Sequence, residues 1–545
     1  MNAVRMKALV FVRAVFRMGR REAKNLSAPC GPVRPAGRSP AERKKGERMK
    51  RLCAWCLALG MACGTVATAE AADIRAKGVW DFLGEWSNVA PRNDRNDRFG
   101  AMQRLRTQVD VIASKALKGV VFFEIGNTGW GNAAEGGALG TDGKMVEIRY
   151  SYIDWQVPDT ELRVRMGLQP IRLPGFVAHS PVFGHDMAGV TVSQTWSDEV
   201  GTTLFWARLY NDNFGGWKED GSPANGAARH ISGDAMDMIG LVVPVNTEAV
   251  KVSPWGMYGF LGTRSLMGNI RGSEPATWAP RAGLYPILGS GYTFDSFPFR
   301  RNTDEHGDGW WLGVTGESKF FSPLTVAADF AYGSVRLGEI PAYEGFEDGP
   351  GTFKLDRAGW YAALRVEYDL GWGTPGVIAW YGSGDDGNPY NGSERMPQYN
   401  TPWAVSALGF GGGYNDMSTW KVLGHNPGGL WGVIAHLKDM SFADKLKHTL
   451  RAGYYRGTNN SNMPKAANMT AYPTRVDGPF AYLTTSDDAW ELNADTRYKI
   501  YDNLELDLEA GYVRLNLDEG AWGRKIVDDT EKNSYRFSVA MRYTF

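Results

Sequence analysis

The 545-residue chain balances 60 Lys or Arg against 60 Asp or Glu, with 12% aromatic residues, 67 glycines and a mean hydropathy of −0.34. No run of 18 apolar residues follows the N-terminal region, which excludes a helical membrane protein, and no linker or compositional break supports the roughly three or four soluble domains this length suggests. A β-barrel that crosses a membrane is compatible with such an average, because half of each strand faces water and the loops are polar.

All four cysteines, Cys30, Cys53, Cys56 and Cys63, fall in the first 63 residues. Cys53 and Cys56 have CxxC spacing but sit in an apolar run without a second pair, which argues against zinc or redox chemistry. Met49-Lys50-Arg51, the apolar run Leu52 to Ala62 and Ala69-Glu70-Ala71 have the layout of a secretory signal peptide, with cleavage expected after Ala71. Residues 1–48, basic and disordered in composition, are read as an over-extended gene start, with translation beginning at Met49. Residues 1–71 hold 15 Lys or Arg and 4 Asp or Glu, so the remainder, 72–545, has a net charge of about −11 and no thiol. That charge argues against nucleic acid as a partner, and the missing thiol suits export to an oxidising compartment.

From Ile74 onward the chain alternates apolar and polar residues in segments of about ten, the length that crosses a bilayer as a tilted strand. Ile74 to Trp86 places Ile74, Ala76, Trp80, Phe82 and Trp86 on one face and Arg75, Lys77, Asp81 and Glu85 on the other. Phe99 to Ile112 sets Phe99, Leu105, Val109 and Val111 against Arg104, Arg106, Gln108 and Asp110. Gly119 to Gly126 is followed by Met145 to Gln156, where Val146, Ile148, Tyr150 and Tyr152 are expected to face outward. Glu161 to Gln169 opposes Leu162, Val164, Met166 and Leu168 to Arg163 and Arg165. Strands are then expected at Gly189 to Trp196, Thr202 to Tyr210, Ala235 to Val245, Ala249 to Phe260, Trp310 to Phe320, Leu324 to Gly333, Ala358 to Leu370 and Gly376 to Gly382. Leu430 to Leu437, Leu446 to Arg456, Ala489 to Ile500, Leu504 to Leu515 and Ser534 to Phe545 complete a set of eighteen, with sixteen as the alternative because Gly189 to Trp196 and Gly376 to Gly382 are the weakest.

Short connections such as Val157 to Thr160 and Tyr501 to Asn503 alternate with long ones, as they do when one rim of a barrel carries tight turns and the other external loops. The last segment, with Tyr535, Phe537, Val539, Met541, Tyr543 and Phe545 on one face, has no chain after it and must pair with Ile74 to Trp86 to avoid an open edge. Trp80, Trp86, Tyr150, Tyr152, Tyr258, Trp360, Tyr368, Trp490, Tyr498, Tyr512, Tyr535 and Tyr543 could supply aromatic girdles.

No catalytic or metal-binding motif stands out. The seven histidines are scattered, no Gly-x-Ser-x-Gly occurs, and Gly411-Gly412-Gly413 lacks the Lys-Ser or Lys-Thr of a phosphate loop. Asp304, Glu305, His306 and Asp308, and Glu339, Glu344, Glu347 and Asp348, read as solvated loop charges, with a divalent cation as the alternative. No enzyme activity or cofactor is expected. A barrel phospholipase would need His436 or His448 beside a serine on the outer wall. The inward charges are more informative: Arg75, Lys77, Arg104, Arg106, Arg149, Arg163 and Arg165 form one arc, and Glu491, Asp495, Glu505, Asp507 and Glu509 lie in the last strands among Arg497, Lys499, Arg536 and Arg542. Opposed arcs would set a transverse field across a pore.

The terminal Phe545, with Tyr543 before it, resembles the signature by which outer-membrane β-barrels are recognised by the barrel-assembly machinery. An Arg-rich fifth strand followed by a long non-alternating loop resembles the trimeric general porins, and Asn127 to Trp130 is similar to homotrimeric porins of sulfate-reducing bacteria. This resemblance implies an all-β transmembrane antiparallel barrel with short periplasmic turns and its third external loop, Pro170 to Ala188, folded into the pore. Arg172, His179, His185 and Asp186 would then join Arg104, Arg106, Arg149, Arg163 and Arg165 at the constriction. It also implies an outer-membrane homotrimer, in contact with lipid and lipopolysaccharide, that passes small hydrophilic solutes, with small anions such as sulfate or organic acids favoured. The loop departs from the general-porin motif, with Pro181-Val182-Phe183-Gly184 only partly similar. A substrate-specific channel and a soluble carbohydrate-binding β protein are the alternatives.

Overall fold

A computed structural model describes residues 72–89, 97–140, 146–211, 235–261, 307–341, 352–388, 390–399, 403–413, 417, 421–466 and 482–545. The expected signal peptide and everything before it lie outside the described residues, as do Asp304, Glu305, His306, Glu344, Glu347 and Asp348. Residues 71–545 make one compact unit.

Eighteen strands pair antiparallel in chain order and close on themselves. They are β1 (Asp73–Ser87), β2 (Arg98–Ser114), β3 (Leu117–Gly129), β4 (Glu147–Gln156), β5 (Leu162–Arg172), β6 (Gly184–Thr195), β7 (Gly201–Asn211), β8 (Ala235–Val242, continued by Val245–Asn246) and β9 (Val250–Leu261). The second half comprises β10 (Gly307–Ser318), β11 (Leu324–Arg336), β12 (Arg357–Tyr368), β13 (Thr374–Gly382), β14 (Leu430–Ala443), β15 (Leu446–Gly457), β16 (Asp488–Tyr501), β17 (Leu504–Asn516) and β18 (Asn533–Thr544). All eighteen expected segments are present, including the two weakest, β6 and β13. Connections of two to five residues at one rim alternate with long ones at the other.

Closure is made by β1, which pairs with β2 on one side and β18 on the other, so that Trp80 stands opposite both Leu105 and Tyr543. Gly78 and Phe545 exchange backbone hydrogen bonds of 2.8 and 3.0 Å. The Phe545 ring lies over Gly78, where a Cβ would come within 2.5 Å of the ring and of the Arg106 carbonyl oxygen. No backbone edge is left open, and in a bilayer each unpaired polar group would cost several kcal/mol.

The alternation sorts side chains as expected. Trp80, Trp86, Phe99, Tyr258, Trp360, Tyr368, Trp490, Tyr498, Tyr512 and Tyr543 are exposed on the outside, while Asp81, Arg104, Asp154, Gln169, Glu491 and Asp495 are buried inside. β4 corrects one part of the pattern. The β3–β4 register slips between Phe122 and Phe123, with Phe122 opposite Tyr150 and Phe123 opposite Ile148. One extra residue in a strand reverses which face every later side chain takes. Tyr150 and Tyr152 therefore face the interior, where Tyr150 stacks on Phe122 and Arg165 lies over Tyr152, and Ile153 and Trp155 face outward in their place.

The apolar core lies inside the barrel. Trp311, Trp380, Trp403, Phe410 and Tyr455, each under 5% exposed, pack between the wall and two inward-folded connections, residues 173–183 and 383–429. Replacing Gly78 with Val should block closure by colliding with Phe545 and the β2 backbone. The yield of heat-modifiable folded barrel on an unheated detergent gel is expected to fall several-fold for Gly78→Val and to stay near wild type for Gly84→Ala, whose new Cβ would meet nothing closer than 3.7 Å.

Candidate functional site

The third long connection enters the barrel as the sequence leads one to expect, although it is shorter. β5 and β6 stay paired up to Arg172 opposite Gly184, leaving residues 173–183 as the loop. The N–H of Phe176 donates to Thr315 Oγ1 and Asp329 Oδ1, both at 2.9 Å, and that of Val177 to Asp329 Oδ2 at 3.0 Å. Thr315 on β10 in turn donates to Asp329 on β11. A carboxylate that gathers several N–H donors is a strong charge-assisted anchor, and it ties this loop to a wall about 150 residues further along the chain. His179 sits in the loop, where partial burial and then the Arg172 charge lower its pKa. His185 and Asp186 lie on β6, and Asp186 is ion-paired with Arg149.

The described part of a second connection, residues 383–388, 390–399, 403–413, 417 and 421–429, also folds inward. Its Trp403 indole donates to the Tyr361 hydroxyl at 3.0 Å, Trp311 donates to the Pro397 carbonyl at 2.8 Å, and the Tyr399 N–H meets the Val182 carbonyl of the first loop at 2.8 Å. On the opposite wall the amides of Leu408 and Gly409 both donate to Glu491 Oε1 at 2.9 Å, that of Ala407 donates to Asn493 Oδ1 at 3.0 Å, and Arg536 donates to the Ala407 carbonyl at 2.8 Å. Burial and the nearby Lys421 hold His425 below its usual pKa, against the upward pull of its hydrogen bond with the Trp403 carbonyl. This loop was missed in the sequence. The signal that could have found it is apolar content out of place in an external loop: Met396, Trp403, Leu408, Phe410 and Leu423 are fully buried.

The glycines have a mechanical role. A Cβ on Gly409 would come within 2.3 Å of the Glu491 carboxylate, and one on Gly413 within 2.5 Å of Glu509. Only a bare backbone can lie this close to the wall.

With the two loops in place, more than one void remains among the described residues: a small one of about 160 Å³ lies between Val177, Ala404 and Gly412 of the loops and Arg365, Glu367 and Arg451 of the wall, and a larger one lies along another part of the wall. A cavity of about 720 Å³ runs along β5 to β9, with Arg163, Arg165, Arg172 and His179 on one side and the hydroxyls of Thr191, Ser193, Thr195, Thr203 and Ser253 on another. The arginines are paired by register. Arg163 and Arg165 share Asp154, the latter at 3.3 Å; Arg106 and Arg149 share Glu124 at 2.7 and 3.0 Å; Arg104 donates to Asp81 at 3.1 Å. Arg104 is 3% exposed and so lies beneath the lumen surface. Arg172, exposed at the cavity, has no carboxylate partner among the described residues.

In the Arg163–Asp154 and Arg149–Asp186 pairs the cation faces the lumen and the anion lies behind it. The Arg163 side chain is 44% exposed and that of Asp154 4%; Arg149 is 25% exposed and Asp186 10%. Four acids of the last strands are more deeply buried, Glu491, Asp507 and Glu509 at 2% exposed and Asp495 at 1%, while the fifth, Glu505, keeps a side chain 27% exposed beside Arg497. The expected acidic arc is therefore exposed only at Glu505. His436 faces Glu367 inside the barrel at 3.1 Å, and His448 meets Thr496 at 2.9 Å. Neither has the serine partner a phospholipase would need among the hydrogen bonds of the described residues.

No family model and no curated protein matches the chain. Among solved structures it resembles OccAB3 of Acinetobacter baumannii, at 9% identity over 87% of this chain and 99% of that one, with a TM-score of 0.46. OccK2 (OpdF) of Pseudomonas aeruginosa, in complex with glucuronate, is 11% identical over 87% and 98% of the two chains with a TM-score of 0.45. OccK11 (OpdR) of the same organism is 12% identical over 87% and 96%, with a TM-score of 0.43. At these values none of the likenesses carries an argument; the barrel rests on its own strand order.

Asp329→Ala removes the anchor of the 173–183 loop. Hydrogen bonds to a charged acceptor contribute about 1.5–3 kcal/mol each, so hydrogen exchange at Phe176 and Val177 is expected to accelerate by at least about tenfold while exchange in β10 and β11 stays slow.

Proposed function

We propose that this protein is an outer-membrane porin: a passive, water-filled channel for small hydrophilic solutes that favours anions such as sulfate or organic acids. One observation carries the anion preference. Arg163, Arg165 and Arg172 line the cavity against one acid, Glu161; Asp154 and Asp186 lie behind their arginines, and Glu491, Asp495, Asp507 and Glu509 are covered. In a narrow lumen with low-dielectric walls, exposed fixed charge lowers the barrier to counter-ions more than the same charge does in bulk water.

Membrane insertion is supported by the outer surface. Large apolar and aromatic side chains stay exposed around the whole barrel, from Trp80 and Trp86 through Tyr258, Trp360 and Trp490 to Tyr543, far more than a soluble monomer leaves in contact with water. A closed sheet of alternating strands is the form such a surface takes in an outer membrane. Export by the signal peptide ending near Ala71, assembly through the Tyr543 and Phe545 signature by the barrel-assembly machinery, contact with lipopolysaccharide and a homotrimeric state belong to the same proposal. So does kinship with general porins and with those of sulfate-reducing bacteria, which rests on the inserted third loop and the residues quoted for it above.

A second reading, a channel specific for one solute, is favoured by the hydroxyls of Thr191, Ser193 and Thr203, which line the cavity on the same wall as Arg163 and Arg165 and could bind a hydroxylated acid. Saturable block of the current by one solute would single it out. The purified protein in planar bilayers under a potassium chloride gradient is expected to give a reversal potential of anion-selective sign, and Arg163→Gln with Arg165→Gln to move it toward zero. Cation selectivity in the wild type would defeat the anion preference, and an absence of channels would defeat the porin assignment itself.

A further inference from the structure

Around the wall from β16 to β1 the strand register sets one row of acids. Asp495 stands opposite Glu509, Glu509 opposite Ser538, and Ser538 opposite Glu85. Glu491 and Asp507 flank this row. Such a row in an open lumen would attract cations. It is instead hidden under residues 403–413, which pass directly over it. The amides of Leu408 and Gly409 donate to Glu491, and the absence of side chains at Gly409 and Gly413 lets the backbone approach Glu491 and Glu509. The cover is held from its other side by Phe410, whose ring packs edge-on against Trp380, Trp403 and Tyr455 at 5.0–5.4 Å. It touches the wall at the acids and at the aromatic cluster, and the conduit beside Arg163 and Arg165 lies elsewhere.

We propose that residues 403–413 are the selectivity-determining element of the channel: a cover that withdraws the acidic row from the lumen and leaves permeating ions to meet the arginine wall alone. This rests on the channel function proposed above. Glu491, Asp495 and Glu509 are answered locally, by amides and by Arg451 and Arg536, and are 1–2% exposed, so their pull on an ion in the conduit is small compared with that of an exposed guanidinium; Glu85, at the end of the row, has a side chain 15% exposed. Channel selectivity then depends on a loop as well as on the charges of the strands.

The test uses the full-length protein, purified in detergent and reconstituted in planar bilayers under a potassium chloride gradient, with three variants. One replaces residues 404–413 with a Gly-Ser-Gly bridge. The second carries Glu491→Gln and Glu509→Gln in the intact chain, where glutamine keeps the acceptor for the loop amides. The third combines the two. The bridge variant is expected to conduct at least about twofold more and to shift its reversal potential toward cations; the combined variant is expected to lose that shift. The double glutamine variant with its loop intact should match the wild type. A bridge variant whose conductance rises without any change of reversal potential would overturn the proposal. So would a shift toward anions in the double glutamine variant, because the acids would then already face the lumen; this arm decides alone if the bridge variant does not assemble. Wild-type protein that forms no channel defeats the porin assignment and is distinguishable from all of these outcomes.

Discussion

A β-sheet must do something with its edges, and in this chain the first and last strands do it together. The backbone hydrogen bonds between Gly78 and Phe545, with the nine-residue register from Val79 opposite Thr544 to Ser87 opposite Arg536, convert a long meander into a closed wall. Everything else follows from that closure. An outer surface of tryptophan, tyrosine and leucine is tolerable only when no strand edge is left beside it to recruit another chain, and an enclosed interior is what gives the long loops somewhere to go.

Inside, two loops take up part of the space by different physical means. Residues 173–183 are held at their tip by one carboxylate, Asp329, acting on consecutive amides. Residues 383–429 are held by an aromatic cluster at one side and by acids at the other. The loops also touch each other, through Tyr399 and Val182. What stays open is set by where they do not reach: the strip of wall on β5 to β9 with its arginines and hydroxyls. The charge open to the interior is selected twice, by strand register, which places Asp154 behind Arg163, and by the second loop, which covers Glu491 and Glu509.

The barrel was legible in the sequence because alternation with a period of two is a local property, repeated along each strand wherever the two faces of a sheet meet different surroundings. It failed at β4, where one extra residue at the Phe122 register slip sends Tyr150 and Tyr152 inward; a bulge is invisible to a pattern that counts by twos. The break in alternation after β5 marked a long connection, and its folding into the barrel was an implication of the resemblance to general porins. Ion pairing was not, because Arg163 and Arg165 meet Asp154 only through the register between β4 and β5, and counting cations along an arc leaves out the anions lying beneath them. The second loop was overlooked for a related reason: Trp403, Leu408 and Phe410 have no periodicity, and of their partners Tyr455 and Glu491 come from strands beyond the loop, while only Trp380 is on the strand that leads into it.

An off-centre conduit with a covered acidic side makes one contrast that can be observed directly. The sequence after Cys63 contains no cysteine, so single cysteines can be placed at Ser193, which lines the cavity, and at Ser538, which is 1% exposed in the acidic row. A hydrophilic thiol reagent added to the open channel should modify the Ser193→Cys variant and reduce its current, and leave the Ser538→Cys variant unmodified. Rapid modification of Ser538→Cys with Ser193→Cys untouched would place the water-filled path on the other side of the barrel and contradict the account.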